Sequence, residues 1–425
     1  MHPEDILKFS LADFTYNDSD AVLKPPAEFE QWVDDPRVGM AMSFFEQPLQ
    51  EAPTPRTTVG HRLSGESRKM INLTSYNYLG LSTHPEVVEA AVEAMKTYGV
   101  GASGAAMLSG TFDQHERFAS ELAQFKGRED CMLFPSGYAG NLGAIQALMQ
   151  RGDVLVIDDK CHRSIVDGVV LSGAQLASFR HNNADSLDEV LEKYKDRRRL
   201  VVVEGVYSMD GDLADLPAIV DVCEHHDVGL YVDEAHSTLV FGETGKGVVE
   251  HFDVDSNVGL EFGTLSKSFG GIGGFICGDR RVIRYMKCYA SSFQFSCALP
   301  PPIVAAMRKS LEVATRGPEL RDRLWANVAH FRDNLEAMNL DLGESSSQII
   351  PIIIGSSAEK LIEYAMQAQQ RGLYLQPIDF PAVEAHARRF RISVSSQLTA
   401  EDIDEASTII EDVVARPMGL VGAKR

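Results

Sequence analysis

The sequence predicts an α/β protein, with a large domain built on a mostly parallel central sheet and a smaller α+β domain after it. Three observations predict this. From Ile71 onward, segments of helical periodicity alternate with short, β-branched apolar runs closed by turn residues, the signature of βα units. A proline break in ALPPPIVAAMRKSLEVA, near residue 300, opens a long helix. Beyond it, the strand-like runs QIIPIIIG and RFRISVS stand among helices and set a second domain apart. The predicted division is an N-terminal arm over 1–70, the large domain over 71–300 and the small domain over 301–425.

Taken in order, residues 1–70 are acidic, rich in proline and only weakly periodic, and predict an arm with short helices. Its apolar pieces, around Trp32 and around Phe44 and Phe45, need cover from the body or from a second subunit, a first indication of an oligomer. THPEVVEAAVEAMKTYG predicts a helix capped by Thr83 and ended by Gly99. The strands of the large domain are expected at CMLFP, DVLVID, RLVVVEG, GLYVDEAH and GGFICG. GVGASGAAMLSG has the glycine content of a dinucleotide loop, but it follows a helical segment and not a strand, so that reading fails its context. KYKDRRRL reads as a solvated helix end before a strand.

The 425 residues are 44% hydrophobic, enough for a large core and against dominant disorder. A formal charge of −21 repels nucleic acid and anionic membrane at long range. Six scattered cysteines without a C-x-x-C pair suit reduced thiols in a cytoplasmic protein and offer no zinc site. The start MHPEDILKFSLADF lacks the basic and apolar regions of a secretory signal, and no apolar run is long enough to span a bilayer. Any contact with lipid is therefore expected from the aqueous side.

Parallel sheets bind ligands at the carboxyl ends of their strands, and the unusual residues fall there. In GTLSKSFGGIGGF, Lys267 sits between hydroxyl residues and glycines; it is the candidate amine for a Schiff base with pyridoxal phosphate, with Thr264 and Ser266 as donors to the phosphate. The alternative is a surface turn with an exposed lysine. Ser136, Gly137 and Tyr138 start a helix and can present backbone N–H groups to an anion, or form a plain turn. His162, after DVLVID, is placed to lay its imidazole against a ring or to serve the structure alone. In YVDEAHS, Asp233 ends a buried strand, where its carboxylate makes sense beside a protonated pyridine nitrogen. His236 follows within hydrogen-bonding reach of a phenolic oxygen or an acyl carbonyl. A metal-ligand reading of Asp233 lacks the phosphate loop that should accompany it. Ser208 and Asp210 in EGVYSMDGD lie at the same rim or shape only a turn.

With these residues assembled, the chain from about Leu73 to its end resembles the α-oxoamine synthase family, pyridoxal-phosphate enzymes of fold type I. The matching pieces are, in order, TSYNYLGLS, GVGASGAAMLSGTFDQHE, FPSGYAGN, the His162 segment, EGVYSMDGD, VDEAHS, GTLSKS, FSCALPP and RFRIS. Within the family it is most similar to the serine palmitoyltransferase branch of sphingolipid biosynthesis. The resemblance implies that Lys267 carries the cofactor and acts as acid and base, His162 stacks on its ring, Asp233 pairs with the ring nitrogen, and His236 and Ser208 lie near the phenolic oxygen. Ser136, Gly137, Tyr138, Thr264 and Ser266 would hold the phosphate, with Ser296 and Cys297 reaching it from the other subunit of a homodimer. Arg391 would take the amino-acid carboxylate, and Tyr76 and Asn77 would lie near the substrate.

The implied reaction is a decarboxylating condensation of an amino acid, serine favoured, with an acyl-CoA, a long chain favoured, to an α-amino ketone. Two departures bear on substrate. Ala106 stands where the branch usually has arginine, and PAVEAHARRF places Glu384 and His386 where a proline and a glycine are usual. Other synthases of the family, aminotransferases and a carrier-protein thioester donor remain open. A non-catalytic regulatory subunit would lack the Schiff-base lysine, which is present here.

Overall fold

The computed structural model of the chain describes residues 9–17, 21–45, 47–61 and 65–421. It divides into two compact units, one of residues 1–75 with 326–425 and one of residues 76–325. In chain order, β1 (Arg56–Gly60) and β2 (Ser67–Asn72) belong to the first unit. The second unit holds β3 (Asp130–Phe134), β4 (Val154–Asp158), β5 (Gln175–Phe179), β6 (Arg199–Glu204), β7 (Gly229–Asp233), β8 (Leu260–Thr264) and β9 (Gly274–Gly278). β10 (Ile349–Gly355), β11 (Leu373–Tyr374), β12 (Pro377–Ile378) and β13 (Arg388–Ser393) return to the first.

The second unit is built on one seven-stranded sheet in the order β3-β9-β8-β7-β6-β4-β5. β4 to β8 run parallel, and only β9 is antiparallel to its neighbours. β4 and β8 are buried along their whole length because helices cover both faces; β4 accordingly reads as the apolar run VLVI, while β8, LEFGT, carries the buried Glu261. Met132, Phe134, Ile145, Leu155, Ile165, Val202, Tyr231 and Phe262 fill one side of the core. Neither β5 nor β8 was among the expected strands: β5 is an edge strand, QLASF, with only Phe179 buried, and the run of β8, LEFGT, is broken by Glu261.

The helix THPEVVEAAVEAMKTY starts one residue later than expected. Pro85 holds His84 extended at ψ 129°, so His84 and not Thr83 takes the N-cap position, while Gly99 ends the helix at φ 78°. This helix packs against Pro301–Thr315, which keeps the latter with the sheet unit and places the division at 325/326, where the sequence reading had it at 300/301.

In the first unit, β10, β13 and β12 form an antiparallel sheet, and β1, β2 and β11 form another. The stretch read as an arm has its short helices, Ala27–Val33 and Pro36–Met42, but also the β1–β2 hairpin, which β11 extends in parallel. Trp32 is buried, with the Phe14 ring 5.2 Å away. Gln47 and Gln369 exchange buried amide hydrogen bonds of 3.1 and 2.9 Å, and Arg56 pairs with Asp402 at 2.7 Å. Among the described residues, no helix is long and apolar enough to cross a membrane.

Candidate active site

The carboxyl edge of the large sheet is where buried apolar strands give way to polar side chains, and each of β4, β6, β7 and β8 ends on one: Asp158, Glu204, Asp233 and Thr264. Asp233 is buried. Its Oδ2 accepts from Asn141 Nδ2 at 2.7 Å and its Oδ1 from the Ala235 N–H at 2.9 Å. Burial pushes its carboxyl above the ordinary value, and the Lys267 charge opposes that push. Glu204, paired with Asp233 in the β6–β7 register, is raised well above its ordinary value by burial and then by the Asp233 charge. One negative charge is thus concentrated on Asp233, in a place that favours a cationic partner.

Lys267 follows β8 in a loop closed on itself. Leu265 N–H donates to Gly273 O at 3.0 Å, Gly271 N–H to Leu265 O at 2.8 Å, and Gly270 N–H to Lys267 O at 2.9 Å. Buried Leu265 and Phe269 anchor it. From this loop Lys267 Nζ meets His236 Nε2 at 2.7 Å, and His236 Nδ1 meets the buried Tyr78 hydroxyl at 2.8 Å. The Tyr76 ring stands edge-on to His236 at 6.1 Å. Asn77 is buried, its Oδ1 accepting from Ser82 N–H at 3.2 Å.

A third group surrounds the start of the helix Gly137–Leu148. Ser136 is its N-cap, Oγ accepting from Ala139 N–H at 3.1 Å. A Cβ at Gly137 would stand 2.8 Å from Thr264 Oγ1, and one at Gly274 would stand 2.9 Å from Gly137 Cα. Only glycines allow the helix start to lie this close to the ends of β8 and β9. Thr264 Oγ1 and Ser266 Oγ are 2.7 Å apart, so two hydroxyls and the first N–H groups of a helix share one corner. The Tyr138 side chain turns away to bond Asp167.

His162 caps the helix Arg163–Ser172, its Nδ1 accepting from Ser164 N–H at 3.2 Å with Ser164 Oγ at 2.8 Å. Its pKa is lowered by burial, so the ring is a neutral plate with Nδ1 as acceptor. Ser208 lies in the loop after β6, whose Asp210 pairs with Lys160 at 3.1 Å. Ser296 and exposed Cys297 sit on a loop that bridges to Ala105. Arg391 is buried on β13, in the other unit.

The sequence reading missed Tyr78, Asn141, Ser164 and Glu204. Asn141 was findable: it lies one helical turn after Gly137, on the side facing the strand ends, and Tyr231 hydroxyl and Ser164 also bond it. The residues fit pyridoxal phosphate on structural grounds. A buried carboxylate awaits a cation, a glycine-lined helix start with two hydroxyls suits a phosphate, and a lysine amine stands beside a histidine.

Residues 68–410 match the family model for class I and II aminotransferases. The chain is 37% identical over 403 residues to the 4-hydroxy-2,2'-bipyrrole-5-methanol synthase PigH of a Serratia species, covering 94% of this chain and 61% of that one. It therefore spans about three fifths of that relative. Against the 8-amino-7-oxononanoate synthase of Symbiobacterium thermophilum it is 37% identical over 385 residues, 90% of this chain and 97% of the other. Among solved structures, a lysine-to-alanine variant of serine palmitoyltransferase from S. paucimobilis, with PLP and myriocin bound, superposes with a TM-score of 0.84 at 32% identity, covering 89% of this chain and 94% of that one.

Proposed function

Because the chain belongs to the class I and II aminotransferase family, on its α-oxoamine synthase branch, we propose that it condenses serine with a long-chain acyl-CoA. In the net reaction the amino acid's Cα gives up its proton and bonds to the acyl carbonyl carbon, the C–S bond breaks, and the leaving thiolate takes up a proton to become the thiol. The Cα–carboxylate bond breaks as carbon dioxide, and one proton returns to Cα. The observation that carries this reading is the Lys267 amine held 2.7 Å from His236 at the edge where buried Asp233 ends its strand.

Pyridoxal phosphate, when bound, supplies the electron-withdrawing ring that makes Cα acidic. This chain's residues do the rest. Lys267 Nζ holds the cofactor at rest and moves the proton at Cα, with His236 Nε2 orienting the amine. Asp233 would keep the ring nitrogen protonated, and His162 would cover the ring with its neutral face. Ser208 and His236 would lie by the cofactor's phenolic oxygen. Ser136, Gly137, Tyr138, Thr264 and Ser266 hold the phosphate, joined by Ser296 and Cys297 of a second copy in a homodimer. Arg391 takes the amino-acid carboxylate as a bidentate donor, and Tyr76 and Asn77 border the substrate.

A second reading, an 8-amino-7-oxononanoate-type synthase, is favoured by the 37% identity to such enzymes over 90% of the chain and by Ala106 in place of the usual arginine. The test is a visible-absorbance titration of the purified protein with glycine, alanine and serine, followed by acyl-CoAs of graded length. A shift with serine and turnover with long chains supports the first reading. A response to alanine with short or carboxylated chains replaces it with the second. No absorbance change with any amino acid sinks both.

A further inference from the structure

Behind the rim, outside the groups that face the reacting centre, His181 stands between two carboxylates. Its Nδ1 is 2.9 Å from Asp158 Oδ1 and its Nε2 is 2.7 Å from Asp212 Oδ2. A neutral imidazole carries one N–H and can satisfy only one of them. Two carboxylate contacts at opposite ring nitrogens therefore require the imidazolium. The next residue works in the same direction. Asn182, at φ 49°, donates its backbone N–H to Asp158 Oδ2 at 2.9 Å and its side-chain amide to Asp212 Oδ2 at 3.0 Å and Leu213 O at 2.8 Å. The Tyr207 ring meets the imidazole edge-on at 4.5 Å.

The two carboxylates belong to different loops. Asp158 ends β4 and builds the turn that leads to His162, its Oδ1 accepting from Lys160 N–H at 2.9 Å and its carbonyl from Cys161 N–H at 3.1 Å. Asp212 sits at the neck of the loop after β6, where Val206 bridges to Leu213 and Tyr207 N–H donates to Asp212 O at 3.0 Å. That loop carries Ser208. We propose that His181 is a positioning residue whose protonated ring locks the His162 turn to the Ser208 loop, so that cofactor retention depends on its charge. The inference rests on the reading that both loops face the cofactor.

The groups facing the ring are Asp158 and Asp159 from β4 and its turn, Lys160 beside them, and Asp212 and Tyr207 from the loop after β6. Burial works against the charge, but the hydrogen bonds to Asp158 and Asp212 outweigh it and raise His181 from 6.5 to about 9. The folded value is raised, so the lock is complete below the ordinary value and is lost as pH rises through about 9.

The test compares wild type with His181→Gln, using two readouts. In the apoprotein, the protection of amides 206–213 against hydrogen exchange, taken relative to the base-catalysed intrinsic rate at each pH, is expected to be lower in the variant at neutral pH, and in wild type to fall only above pH about 9. In the holoprotein, the variant is expected to hold pyridoxal phosphate on the order of tenfold more weakly at neutral pH, with the difference shrinking as wild type passes its own transition. If His181→Gln does not fold, Asp212→Asn, which keeps the ring and removes one charged partner, carries the same readings. Unchanged exchange and unchanged affinity overturn the proposal, and so does a loss of affinity that stays constant across the pH range. Failure of wild type to take up the cofactor strikes the proposed function, while the exchange readout still decides the lock.

Discussion

Hydrogen-bond polarity sets an order among Tyr78, His236 and Lys267. A lysine ammonium only donates, so His236 Nε2 accepts from it, and the Nδ1–H is left to donate to the Tyr78 oxygen. Tyr78 is fully buried behind the histidine and acts through it. Tyr78→Phe removes the acceptor for a buried N–H and should lower kcat roughly tenfold while the amino-acid KM stays near its wild-type value. Steady-state kinetics checks this; a raised KM with unchanged kcat refutes the positioning role. Lys267→Ala should leave a folded protein with no condensation activity, and turnover in that variant refutes the assignment. At this scale the sequence was legible where a polar residue follows an apolar run, as Asp233 follows GLYV. Tyr78 was not legible, because a tyrosine in TSYNYLG looks the same whether it faces the core or a histidine 158 residues away.

Elements were legible for the same physical reason that they are stable. β4, β6 and β7 are covered on both faces and read as apolar runs, whereas the exposed edge of β5 and the charged Glu261 within β8 leave no such trace. The tie between the helix Asp113–Lys126 and β8 was equally invisible. Lys126, the helix's last residue, looks like an ordinary cation at a C-terminus, yet its side chain is buried, with Nζ 2.8 Å from Glu261 Oε2. Arg128 Nε reaches the other oxygen at 2.6 Å. Burial pushes the Glu261 carboxyl up, but the two cations outweigh it and hold it below its ordinary 4.5. Its contribution is present above that value and fades as pH falls through the lowered folded one. Lys126→Met leaves the buried carboxylate with one cation and should cost about 3 kcal/mol. The same variant should lose less stability than wild type on acidification, because without Lys126 the folded Glu261 carboxyl takes its proton more readily and the penalty shrinks as pH falls. Denaturant midpoints measured from neutral to acid pH check both, and parallel curves for the two proteins would rule out the electrostatic account.

For the whole molecule, the glycine-rich stretch gains its meaning from a loop far along the chain. Gly104 and Gly110 lie so close that a Cβ on Gly110 would stand 2.0 Å from the Gly104 carbonyl oxygen, which makes the stretch a compact knot and not a nucleotide loop. Ala105 bridges to Cys297, and Ala298 N–H donates to Gly104 O at 3.0 Å, so the knot and the Ser296–Cys297 loop form one surface. On that surface Leu108 is 86% and Phe295 84% exposed. Two large apolar side chains left in water beside residues assigned to a neighbour's phosphate are best covered by a second copy of the chain. Sedimentation equilibrium should therefore give twice the 46.7 kDa chain mass for wild type. Leu108→Glu combined with Phe295→Glu places two charges in that contact and should shift the protein to monomers. Because Ser296 and Cys297 then reach no partner, the monomers should also bind pyridoxal phosphate on the order of tenfold more weakly. Wild type sedimenting at a single chain mass would remove the shared site, and charged variants that stay dimeric would move the interface to another face of the unit.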